Sequence, residues 1–492
     1  MIRSLLLLTA LSALPAAAEE NKPKTLPPFP EAAATNTVTI AGAPLTYVST
    51  AGRMPLFKDD GAVRAEIFYI SYTRTNTVDT ARRPVTFCFN GGPGASAVWL
   101  HLGVLGPYRV DLPAEPVPVV PPGRWVENPH SLLDRTDLVF IDPVSTGYSR
   151  AGKDEDPKQF HGVQEDIDAV AEFIRMWITR NGRWLSPKLL AGESYGTIRA
   201  AGLASRLQQQ GIELNGVMLI STVLEFQTID FSDGNELVYP LFLPTYVATA
   251  WHHGRLAPEL QAKPLWQVTQ DAQIFAMNQY LRALHASEEH MFRQGLATNL
   301  SHWTGLSTNV IIASHHRIPQ GRFMKELLRE RGLVTGRFDG RYTGPDSEAA
   351  GDGPEHDPSL SAIRGAFTAA MNDYLRSKLG VKSDLTYEVL TGRVHPWSYK
   401  PFENRYLNMS SSLATAMRLN PALKVYVASG AYDLATPYLA TNTTLERMAV
   451  PPGLRANIRN NLYPAGHMMY TQPEVLEKMS ADMRDFVDWA AP

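Results

Sequence analysis

One cysteine, Cys88, occurs in 492 residues. No intrachain disulfide can form, so stability has to come from packing. Lys and Arg number 46 against 49 Asp and Glu, a net charge of -3 with no long run of one sign. That balance gives no basis for electrostatic capture of nucleic acid or of an anionic membrane. H-E-x-x-H is absent, and neither His252-His253 nor His315-His316 has carboxylate or histidine neighbours at helical metal-ligand spacing, which argues against a metal. A Gly-rich phosphate loop followed by Lys-Ser/Thr is also missing, as is any internal repeat of roughly 20 to 50 residues. The composition therefore leaves a small or neutral substrate as partner, with no cofactor, metal or nucleic acid expected.

The first residues, "MIRSLLLLTALSALPAAAEE", carry an early arginine, a short apolar stretch broken by Pro15, and small residues before two glutamates. This pattern reads as a cleaved export signal over residues 1 to 18. The run is shorter than the roughly 20 apolar residues of a membrane span, so no stable anchor is expected. A signal peptide together with a single cysteine points to a bacterial protein that is periplasmic or secreted.

The chain is 44% hydrophobic, enough for one large domain with an insertion or for several domains. Two segments, "TVTIAGAPLTYVS" and "AEIFYISYTRT", alternate apolar and polar residues as half-buried strands do. Five short apolar runs follow at 84 to 90, 137 to 143, 187 to 194, 215 to 222 and 423 to 430, the length expected of strands buried on both faces. "VQEDIDAVAEFIRMWITR" spaces its apolar residues three and four apart and predicts a helix over 163 to 180. Alternating strands and helices give the α/β class with a mostly parallel sheet. Residues 223 to 412 interrupt the alternation and read as an inserted cap, separating a first core part (19 to 222) from a second (413 to 492). Within the cap, "GPDSEAAGDGPEHDP" predicts a solvated loop.

Gly192-Glu193-Ser194-Tyr195-Gly196 fits G-x-S-x-G at the end of a predicted strand and the start of a predicted helix. A serine in that tight turn presents its hydroxyl beside the free N–H groups of the helix. The hydroxyl needs a base, and the base an orienting acid. In this chain order Asp433, ending "VASGAYD", and His467, in "YPAGHMMY", come from suitable places. The loop "FNGGPGASAVW" (89 to 99) can aim backbone N–H groups at a substrate oxygen; the candidate donors are Gly92 and Tyr195.

Together with "LGPYRV", "DLVFIDPVSTGYS", "SGAYD" and "GHMMY", the motifs "NGGPGAS" and "GESYG" resemble the serine carboxypeptidase family, a branch of the α/β-hydrolase fold. The resemblance spans nearly the whole chain after the signal and is weakest in the cap. It implies a Ser194-His467-Asp433 triad acting on peptides with a free C-terminus. It further implies that Asn90 and Glu193 hydrogen-bond the substrate's terminal carboxylate. Glu193 can do this only while it holds a proton, so a raised pKa and activity favoured by acid are expected.

The sequence departs from the family pattern at three positions: Cys88 stands where a tryptophan donor is usual, Val104 where a second glutamate partners the first, and Ala95 where a cysteine is usual. Met468 matches the pattern and is a candidate lining residue for the departing amino acid. Two alternatives stay open: an esterase or acyltransferase using the same triad, and a noncatalytic binding protein on the hydrolase scaffold.

Overall fold

The computed structural model describes residues 29 to 286 and 290 to 492; the export-signal reading of residues 1 to 18 lies outside them. Strands β1 (Ala32–Ile40), β2 (Ala43–Phe57) and β3 (Val63–Arg74) form an antiparallel meander. The first alternating segment is thus two strands. Ala41 and Gly42, with φ of 48° and 80°, make the positive-φ turn that suits a two-residue hairpin.

The five apolar runs become β4 (Val85–Phe89), β5 (Asp137–Ile141), β6 (Lys188–Glu193), β7 (Gly216–Ile220) and β8 (Lys424–Gly430), all but Lys424 buried. The edge strand β9 (Ile458–Tyr463) completes the order β1-β2-β3-β5-β4-β6-β7-β8-β9, and the short strand Arg150–Ala151 pairs with β3. From β5 to β9 every neighbouring pair is parallel. Sequence patterning did not anticipate β9, because "IRNNLY" lies at the edge with several residues exposed and has no apolar run. Alternate strand residues feed two separate cores: Leu138, Phe140, Leu189 and Ala191 one, Val139, Ile141, Phe87 and Leu190 the other. Helices on both faces therefore have an apolar surface to cover, and the result is the α/β-hydrolase fold.

Helix α1 (Val163–Arg180) has the span its periodicity predicts, and α2 (Tyr195–Gln209) packs beside it. Val163, Ile167, Val170, Ile174 and Trp177 of α1 are all buried, each worth roughly 1.5–3 kcal/mol relative to exposure, which outweighs intrinsic helix propensity.

Between β7 and β8 the chain adds no strand to the sheet. It contributes α3 (Val238–His252), apolar on nearly every side and enclosed in a third cluster with Phe323 and Leu327. Leu434 and Leu439, which follow β8, belong to the same cluster, so the insertion is packed onto the core. A two-stranded ribbon, Leu333–Thr335 with Thr343–Pro345, and helix α4 (Pro358–Asp373) follow. The chain returns through α5 (Ser410–Leu419), which packs on α2, and ends in α6 (Pro473–Ala490) on the opposite face.

Candidate active site

Ser194 joins β6 to α2 with φ 60° and ψ -129°, a conformation that costs a non-glycine residue about 1–3 kcal/mol. Neighbouring bonds hold it there. Its N–H donates to the Ile220 carbonyl at 2.9 Å, and its carbonyl accepts from both the N–H and the hydroxyl of Thr197. A Cβ on Gly192 would strike the Gly196 carbonyl, so the tight turn requires glycine two residues before the serine. The half-buried hydroxyl has no hydrogen-bond partner among the described residues.

The turn after β8 brings Asp433, and the loop after β9 brings His467, to the same end of the sheet. His467 Nδ1 lies 2.8 Å from Asp433 Oδ2, and both residues are buried. Asp433 also accepts from Thr436 Oγ1 at 2.6 Å and from the N–H groups of Ala435 and Thr436, so the carboxylate is fully engaged. Burial lowers the His467 pKa, but the charge and hydrogen bond of Asp433, with help from Glu193, outweigh it and the net direction is upward. The histidine backbone is pinned as well: its N–H donates to the Phe338 carbonyl at 2.5 Å, and its carbonyl accepts from Ser221 Oγ.

After β4, Gly91 approaches the Tyr195 and Gly196 amides so closely that a Cβ would overlap them. Gly92 follows with φ 101°, and Tyr195 is the first residue of α2, whose N–H has no partner within the helix. Two candidate donors thus border the serine. The loop is braced from both sides: the Ala97 N–H donates to Asp142 Oδ1 at 2.8 Å, and the Thr391 N–H from the insertion donates to the Gly94 carbonyl at 3.0 Å.

Asn90 and Glu193 meet directly: Asn90 Nδ2 donates to Glu193 Oε1 at 2.8 Å, while Asn90 Oδ1 accepts from the Leu100 N–H. The second Glu193 oxygen accepts from the hydroxyl of Tyr470 at 2.7 Å. Burial pushes the Glu193 carboxyl up to about 7, against the pull of His467 and Tyr470 and with a smaller push from Asp433. Asn90 is itself held by Arg199 of α2, which donates to its carbonyl at 2.6 Å and pairs with the buried Asp166 of α1 at 2.7 Å.

Asn90, Gly92, Glu193, Ser194, His467 and Met468 share the wall of one cavity of about 110 Å³. The insertion supplies Arg337, Phe338, Leu360 and Leu390 to the same wall. A larger cavity, about 620 Å³, lies among Phe275, Gln279, Arg282 and Leu296, but its described lining has no nucleophile and no base.

Residues 57–479 match the family model described as serine carboxypeptidase. The chain belongs to the serine carboxypeptidase family. Among sequences similar to this serine carboxypeptidase relative, the pheromone-processing carboxypeptidase KEX1 of Saccharomyces cerevisiae is 30% identical over 156 residues, 30% of this chain and 20% of that protein. Serine carboxypeptidase-like 34 of Arabidopsis thaliana is 25% identical over 173 residues, 33% of each chain. The matched segments thus span a fifth to a third of these relatives' lengths. The crystal structure of the prohormone-processing KEX1 carboxypeptidase from Saccharomyces cerevisiae is similar in fold, with TM-score 0.52 and 15% identity over 90% of both chains.

Two departures from the serine carboxypeptidase pattern have a structural answer. Val104 is buried, and the place beside Glu193 is taken by Tyr470, whose ring fits because position 103 is glycine; a Cβ there would run into it. Glu193 thus has a phenol as partner instead of a second carboxyl. Cys88 is wholly buried, its thiol pushed well above the usual value by burial, and it lies outside the cavity wall. Sequence reasoning missed Tyr470, Arg199, Asp142 and the insertion's Arg337 and Phe338. Only Tyr470 had a local signal, an aromatic three residues after the histidine.

Proposed function

We propose that this member of the family is an exopeptidase that releases C-terminal amino acids from peptides through an acyl-enzyme on Ser194. The observation that carries the reading is the single cavity that joins Ser194 and the His467-Asp433 pair to the buried Asn90-Glu193 pair. One half suits acyl transfer; the other suits a carboxylate that a protonated glutamate can grip.

In this scheme Ser194 Oγ attacks the last amide carbonyl while His467 takes its proton, and Asp433 orients and stabilises the resulting imidazolium. The Gly92 and Tyr195 N–H groups receive the negative charge that develops on the carbonyl oxygen. The C–N bond breaks as His467 protonates the leaving amine. Water, deprotonated in turn by His467, then attacks the acyl carbon and restores the serine. Asn90 and Glu193 hold the departing carboxylate, and the scheme calls on neither metal nor cofactor. Residues 223 to 412 act as a cap whose Phe338, Leu360 and Leu390 line the substrate space. The protein works outside the cytoplasm of a bacterium, in the periplasm or secreted.

Incubating the purified protein with a peptide mixture and following masses tests the reading: shortening from the C-terminus, absent in Ser194→Ala, is the expected result, and internal cleavage or no cleavage sinks it. Cys88 in place of an indole donor favours a second reading, an esterase or acyltransferase with the same triad. Equal rates on dipeptides with free and amidated C-termini would select that alternative.

A further inference from the structure

The insertion places one cation at the mouth of the cavity. Arg337 lies between the two strands of the ribbon, is exposed, and lines the same wall as Ser194, Glu193 and His467. Its guanidinium stands over the Phe338 ring, 5.3 Å from the centroid, and that ring stacks on the His467 imidazole at 4.8 Å. The charge is therefore held over an aromatic face next to the reacting groups.

Every carboxylate that borders this part of the site already has its own partners. Asp339 pairs with Arg341 at 2.5 Å and Asp433 with His467. Asp357 accepts from the N–H and hydroxyl of Ser359 and from the main-chain N–H of Arg337, not from its guanidinium. Glu193 is occupied by Asn90 and Tyr470. Among the described residues, no carboxylate lies within ion-pair distance of the Arg337 side chain. A solvated guanidinium loses little by waiting unpaired, and a bidentate carboxylate that excludes water beside it gains a charge-assisted contact.

We propose that Arg337 pairs with a carboxylate of the bound substrate and so sets which chain ends the site accepts. The inference rests on the exopeptidase reading for its substrate and adds a recognition element to it. Glu193 can grip a carboxylate only while protonated, whereas a guanidinium fork meets the ionised carboxylate with opposite charge and paired donors. The carboxylate comes from the main-chain terminus or from an acidic side chain near it, and both offer the same planar pair of oxygens.

The test uses the full chain with Arg337→Gln and Arg337→Lys, and N-blocked dipeptides ending in Glu or Gln, each as free acid and as amide. A rise in KM of about tenfold for Arg337→Gln on both free acids, with a smaller change on the amides, assigns the partner to the terminus. A rise confined to peptides ending in Glu, so that Glu and Gln become equal, assigns it to the side chain. Partial recovery in Arg337→Lys fits either assignment. KM values within about twofold of the unsubstituted protein on every substrate, at unchanged thermal stability, overturn the proposal.

A second measurement needs no turnover: protection of Ser194 from a neutral fluorophosphonate by glutamate, glutamine or glutamine α-amide. Weaker protection by the acids in Arg337→Gln than in the unsubstituted protein supports the pairing. Equal protection in the two proteins, including none in either, refutes it. If no peptide is cleaved at all, the exopeptidase reading fails while this competition still decides the role of Arg337.

Discussion

Replacing Glu193 with glutamine should abolish the alkaline fall of activity and leave the site assembled. Burial holds the Glu193 carboxyl near 7 instead of the ordinary 4.5, so ionising it in place costs roughly 3 kcal/mol. At about pH 8 only about one site in ten keeps the proton that the proposed carboxylate grip requires, and on that scheme kcat/KM on a free-acid dipeptide should drop about tenfold per pH unit beyond 7. Glutamine keeps the neighbours: its oxygen accepts from Asn90, and its amide can donate to the Tyr470 hydroxyl, which reverses its role. The variant should therefore run flat through about pH 9. Its acid limb should stay where it is, because Glu193 is already neutral there and its charge no longer acts on His467.

Stability follows the same linkage. The folded state of the unsubstituted protein binds the Glu193 proton more tightly than the unfolded chain, so this residue's contribution is intact below about 4.5 and is lost as pH rises through about 7. Glu193→Gln should accordingly unfold at higher urea than the parent at about pH 8, by up to roughly 3 kcal/mol, and gain none of this at about pH 4. Rate profiles on acid and amide substrates, with urea melts at the two pH values, read all of this. A parent profile that stays level from about pH 6.5 to 9 would refute the reasoning, and so would a glutamine variant that keeps the alkaline fall.

Ser194→Ala should lose fluorophosphonate labelling and at least about 10⁴-fold in kcat with an unchanged fold, checked by circular dichroism. Tyr470→Phe removes the donor to Glu193 Oε2; it should cost about 1–2 kcal/mol in urea unfolding and shift the alkaline limb upward, because that bond now holds the Glu193 pKa down. An alkaline limb that does not move counts against the Tyr470-Glu193 link. Gly103→Ala should reproduce part of both effects by crowding the Tyr470 ring, read in the same two assays. Asp166→Asn leaves the buried Arg199 guanidinium without its counter-charge and should cost about 3–5 kcal/mol, with KM rising as Asn90 loosens; a loss under about 1 kcal/mol would show that the pair does not brace the site.

The strands that carry the site were legible because burial on both faces writes itself as an uninterrupted apolar run, as in β4, β6 and β8. The polar edge strand β9 carries no such mark, although it delivers the loop of His467. The hairpin between β1 and β2 was hidden for the opposite reason: Ala41-Gly42 continues the alternation on paper while the backbone reverses. Ser194, with a glycine two residues away on either side, announced its own turn, because the tight strand-to-helix junction leaves no room for a Cβ at Gly192.

What the sequence determined by itself was the class of fold, the five buried parallel strands with the helix α1 among them, and the tight turn at Ser194. Each of these depends on local conformation or periodicity, and short-range sterics and burial impose both on the nearby residues. Only the tertiary structure decided who stands next to whom: Tyr470 against Glu193 through the gap left by Gly103, Phe338 on His467, and Arg337 over Phe338 at the cavity mouth. The Tyr470-Glu193 and Phe338-His467 contacts join residues far apart in the chain, and no periodicity along it encodes them. They arise because buried groups must find partners among whatever side chains the packed core and the insertion bring beside them.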